Sequence, residues 1–164
     1  MLKRLFEKAD SIERGATLDR GLAWELLAPA KQDRIVPAME TLLPESSVVV
    51  LETTKFDSEV EEVLRAHAVP AGLHVRAGIL WPRSTMLHIG VTHDSMLGLH
   101  DLITTLPAPQ VCHHLYAYSG KDLLLEWTDA FDDPIYLSGS LPEATVAQFC
   151  NTLGVTVSRR PSGV

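Results

Sequence analysis

Apolar and polar side chains alternate through residues 72–81 and again through 85–92, and this period of two constrains the fold more than any other feature. Successive side chains of a strand point to opposite faces. With a turn at Pro82-Arg83-Ser84, the two runs are predicted to form a hairpin in which Ile79 faces Leu87 and Val75 faces Val91. That register puts Leu73, Val75, Ile79, Leu87, Ile89 and Val91 on one face. His74, Arg76, Gly78, Met86, His88 and Gly90 fall on the other. A slip of one residue would mix the two sets.

The flanking sequence supplies helices and further strands. Residues 1–44 read as helical. Leu2, Leu5, Phe6, Ala9 and Ile12 share one stripe, and Thr17 is placed to cap a second helix carrying Leu18, Leu22 and Leu26. A third helix carries Ile35, Met39, Leu42 and Leu43 and stops before Pro44. Val48-Val49-Val50-Leu51 reads as a buried strand. Ser58 with Glu61 signals the start of a helix carrying Val60, Val63 and Leu64. Asp94 or Ser95 opens another, with Leu99, Leu102, Ile103 and Leu106 in its stripe. Strands at 111–118 and 122–128 turn at Ser119-Gly120, and a short strand follows at 135–139. Ser140 with Glu143 opens the last helix, and Gly154 suits the position after it. Val155-Thr156-Val157 adds an edge strand. The string from 46 to 118 is the order of a ferredoxin-like βαββαβ unit. The expectation is an α+β fold with a mixed, largely antiparallel sheet, preceded by N-terminal helices. At 164 residues one domain is expected, 1–164, with a helical part at 1–44 and a sheet part at 46–158.

Charge narrows the partners. Fourteen Lys+Arg against twenty-one Asp+Glu leaves a net charge of −7, which opposes binding to phosphate backbones and acidic membranes. No nucleic-acid or membrane partner is expected. Cys112 and Cys150 do not make a disulfide framework. The first residues, Met1-Leu2-Lys3-Arg4-Leu5-Phe6-Glu7-Lys8, are too densely charged for a signal h-region. Both points predict a cytosolic protein.

Two constellations could carry function. Seven histidines invite an audit, but close zinc spacings such as His-Glu-x-x-His are absent, and no metal or cofactor is expected. Alternation in 111–118 puts Cys112, His114, Tyr116 and Tyr118 on one face. If that face aligns with the hairpin's polar one, a single surface holds His74, Arg76, His88, His114 and Tyr116, with Glu126 on the next strand. Such a surface offers Arg76 to hold an anion and a histidine to move a proton. The second constellation interleaves acids with aromatics: Trp127, Asp129, Phe131, Asp132 and Asp133. It reads as an edge that docks a basic protein, since aromatics anchor interfaces and complementary charge speeds encounter. The leading expectation is a small acidic cytosolic binding or adaptor protein that neutralises a basic partner. The alternative is a small-molecule enzyme or ligand-binding protein that uses the histidine and arginine pocket.

Overall fold

The computed structural model describes residues 15–129 and 132–162. Seven strands form one sheet: β1 (Trp24–Leu26), β2 (Val48–Thr53), β3 (Thr85–Gly90), β4 (His114–Ser119), β5 (Asp122–Trp127), β6 (Ile135–Leu137) and β7 (Val157–Arg159). Their order is β3-β2-β4-β5-β6-β1-β7, and each pairing is antiparallel. Among the described residues five α-helices accompany them: α1 (Ile35–Leu42), α2 (Ser58–Arg65), α3 (His93–Thr105), α4 (Ala108–Val111) and α5 (Glu143–Leu153). The architecture is α+β. No helix among the described residues is long and apolar enough to cross a membrane.

Register explains how the sheet acquires two unlike faces. Leu87, Leu51, Leu115 and Trp127 stand opposite one another on successive strands, as do Ile89, Val49, Ala117 and Leu125. These form the floor of the main core. Ile35 and Met39 of α1, Val60 and Leu64 of α2, Leu99 and Ile103 of α3, Val111 of α4 and Phe149 of α5 pack onto it. Each such side chain contributes roughly 1.5–3 kcal/mol on burial. Among the described residues, the opposite face is covered by irregular chain. Residues 15–18 and 72–81 lie across it, joined by the Ala16↔Val75 bridge. A smaller cluster of Val50, Val75, Tyr116, Tyr118 and Leu123 sits beneath them and, among the described residues, includes no helical one.

The expected hairpin of 72–81 with 85–92 does not form. β3 pairs with β2 instead, matching Ile89 to Val49 and Leu87 to Leu51. The reason is the better apolar complement, since Val49 and Leu51 are fully buried in the main core. Val75 consequently lies on the opposite side of the sheet from Leu87 and Ile89. Residues 66–84 contribute only isolated bridges at Ala68 and Val75. From β2 to β5 the order is therefore strand, helix, strand, two helices, strand, strand, and the βαββαβ string is not present there.

The N-terminal expectation divides three ways. The stripe from Leu2 to Ile12 lies outside the described residues. The second helix is replaced by a turn and β1, because Trp24 and Leu26 alternate inward against Leu137 and Ile135 while Leu22 is 54% exposed. The third helix is α1, with Ile35, Met39 and Leu42 buried. Helix ends also show local detail. Thr92, rather than Asp94 or Ser95, caps α3 and exchanges hydrogen bonds with Ser95. Gly154 follows α5 at a φ of 78°, where only glycine is unstrained.

Candidate functional site

The loop-covered face carries a polar row across the sheet. Pairing sets His88 against Val50, Val50 against Tyr116, Tyr116 against Glu126 and Glu126 against Tyr136. One step along the strands, Glu52 stands beside His114. His88, His114, Tyr116 and Glu126 thus share one face, as alternation implied. Arg76 and His74 reach it from the overlying segment rather than from a strand.

Glu52 organises the site and was not singled out from the sequence. Its side chain is fully buried and accepts hydrogen bonds from the Gly78 amide at 2.9 Å, the Ile79 amide at 3.0 Å and the Tyr116 hydroxyl at 2.9 Å. A buried carboxylate persists only when its oxygens are satisfied in this way. The available signal was an acid closing an apolar strand run. The carboxylate pins residues 78–79 so closely that a Cβ on Gly78 would lie 2.7 Å from the His114 ring and 3.0 Å from the Tyr116 oxygen. Burial, then the charge of Glu52, raises the Tyr116 phenol well above its ordinary value, so it remains a donor.

A second acid pins the other wall. Glu126, 5% exposed, accepts from the Thr17 hydroxyl at 3.0 Å and the Leu18 amide at 2.9 Å. Arg20 lies 4.0 Å from the same carboxylate, and its guanidinium sits 4.6 Å above the Tyr136 ring. Between the two pinned segments runs an open cleft of about 950 Å³. His114, Tyr116 and Glu126 form its inner wall, Arg20 and Arg76 its sides, and Trp81 its rim.

The proton positions follow from the partners. His114 Nδ1 accepts the Asp129 amide hydrogen at 2.7 Å, so the ring carries its own hydrogen on Nε2, beside Gly78. Arg76 is exposed, and its side chain forms no hydrogen bond or ion pair among the described residues. Its backbone amide is held by the Ala16 carbonyl at 3.0 Å.

His74 and His88 do not line this cleft. The Tyr118 hydroxyl accepts the Gly72 amide hydrogen at 2.9 Å and lies 3.1 Å from His88 Nδ1, to which it is free to donate. Burial, then the charge of His74, holds the His88 imidazole below its ordinary value of 6.5. Below pH 6.5 the unfolded chain therefore binds more protons at this position than the folded one. This contribution is complete above that pH and is lost as pH falls toward the lowered folded value. Melting temperature is expected to drop over that interval. His88→Asn, which keeps an acceptor for Tyr118, should flatten the drop. An unchanged slope in the variant would assign it to other groups.

The acidic aromatic constellation is split by the fold. Trp127 lies on the helix side of β5, opposite Leu115, with no exposed surface, and its Nε1–H donates to the Asp133 carbonyl at 2.8 Å. It is a core residue rather than a docking anchor. Asp129, Asp132 and Asp133 are exposed, and Phe131 lies outside the described residues. Among the described residues no group of three His, Cys, Asp or Glu side chains is arranged to hold a metal ion. Cys112 is buried, and burial with the added charge of Glu52 pushes its thiol up to about 12, which makes it a poor nucleophile. Compared with known proteins, the chain matches no family model, no curated protein and no solved structure.

Proposed function

We propose that this chain binds a small anionic organic molecule in the cleft between residues 17–20 and 76–81. The observation that supports it is that Arg76, whose guanidinium has no partner among the described residues, lines the same cleft as His114 with its Nε2–H. Both are donors, and charge-assisted bonds to an anion are strong. Glu126 and Asp129 also line the cleft, and Asp129 adjoins His114, so the anion belongs beside Arg76 with His114 as a neutral donor to the rest of the molecule. The same geometry favours binding over proton transfer. The basic nitrogen of His114 is occupied by a backbone amide, and the carboxylates of Glu52 and Glu126 are occupied by backbone amides and hydroxyls. A cytosolic setting fits two free buried thiols.

The adaptor reading, in which a basic protein is neutralised, rests on the exposed acids Asp129, Asp132 and Asp133, without Trp127 to anchor it. The cleft reading takes precedence because its residues are already held in place. Its test is a titration of isotope-labelled protein with benzoate and with inorganic phosphate, followed by NMR. Saturable shifts are expected at the Gly78, Ile79 and Asp129 amides. Arg76→Ala should weaken binding about tenfold or more, the usual worth of a charge-assisted hydrogen bond. Affinity untouched by Arg76→Ala would overturn the proposal.

A further inference from the structure

The geometry points to a ligand that carries a planar ring, stacked on Trp81, beside its anionic group at Arg76. This rests on the cleft reading above and names its ligand class. Two of the three tryptophans, Trp24 and Trp127, are 2% and 0% exposed, whereas Trp81 is 89% exposed. It stands at the cleft rim next to Leu80, which is 56% exposed. The two neighbours make a contiguous exposed apolar patch at the mouth of a cleft, the kind of surface that marks ligand-binding grooves. The chain leading to it is not loose, because the Ile79 amide, two residues earlier, is fixed on the buried carboxylate of Glu52. The indole is thus presented from an anchored base.

The depth of the site selects the occupant. His114 is 6% exposed and Tyr116 only 1%, so the inner wall of the cleft is nearly closed to solvent while its rim at Trp81 is open. A flat protein surface would cover Trp81 and leave His114 untouched. A small molecule seated within the cleft can set its acid at Arg76 and its ring on Trp81, with His114 facing it from the inner wall. Leu80 would serve a saturated tail equally well, and the indole adds the preference for a flat π-face.

The test uses a matched pair of probes, benzoate and cyclohexanecarboxylate, which share a charge and differ in the ring. NMR titration of the whole chain should show benzoate binding about two- to tenfold more tightly, the range expected for an aromatic pair. The Trp81 indole N–H signal should move with it. Trp81→Leu retains apolar contact and is exposed enough to leave folding intact. It should bring the two affinities together, while Arg76→Ala weakens both. Equal affinities in the unaltered protein, with dependence on Arg76 preserved, would overturn the ring and leave the anion site standing. A benzoate preference that survives Trp81→Leu would do the same. If neither probe binds saturably, or if Arg76→Ala leaves both unchanged, the anion site fails and the ring inference fails with it.

Discussion

Glu52→Gln is expected to cost about 2–3 kcal/mol of folding stability, because one buried N–H is left facing an amide that cannot accept it. In the native protein the two carboxylate oxygens take three donors between them, from Gly78, Ile79 and Tyr116. A glutamine has one accepting oxygen, and its NH₂ group must face either the Ile79 amide or the pair at the other oxygen. The bonds that remain also lose their charge assistance, which roughly halves them. Removing an ion from the interior works in the opposite direction. The fixed donors decide the balance, since two of them are backbone groups set by the path of the loop. For a chain of this size the melting temperature should fall by roughly 5–10 °C. Tyr116→Phe, which removes one donor and leaves the carboxylate in place, should cost about 1 kcal/mol. Equal melting temperatures for Glu52→Gln and the unaltered protein would show that water reaches the carboxylate.

Trp127→Ala should be more damaging, by about 3–5 kcal/mol, the usual cost of emptying a large buried aromatic site. The indole is wholly enclosed by the helix side of the sheet, and its removal also strands the Asp133 carbonyl. Asp132→Asn and Asp133→Asn alter only exposed side chains and should each stay within about 0.5 kcal/mol. Urea unfolding midpoints separate the two classes. A stable Trp127→Ala protein would place the indole at the surface and restore it as a docking anchor.

What could be read from the sequence was what neighbours in the chain decide. The period of two in 111–118 and 122–128 gave β4 and β5, and their hairpin placed Tyr116 beside Glu126. That is why His114, Tyr116 and Glu126 could be assigned to one surface. Arg76 reaches the same site by another route, from a segment lying over the face rather than a strand within it. The partner of β3 was not legible, since Leu87 and Ile89 specify a buried side but not which strand supplies it. Glu52 closes an apolar run and reads as a solvated strand end. Only the return of residues 78–79, far along the chain, makes it an interior acceptor. Trp81 and Arg20 lie in irregular segments where no periodicity marks them, and His74 with His88 belongs to the other end of the face.

The helices of the described residues gather on one side of the sheet, and this separates two kinds of sequence change. Replacements at Arg76, Leu80 or Trp81 touch none of the packing that holds α1, α2, α3 and α5 in place. The preference of the proposed anion site is therefore adjustable while the scaffold stays intact. The two tethering carboxylates mark the limit of that freedom, because a loop cut from either one would take its wall of the cleft away with it.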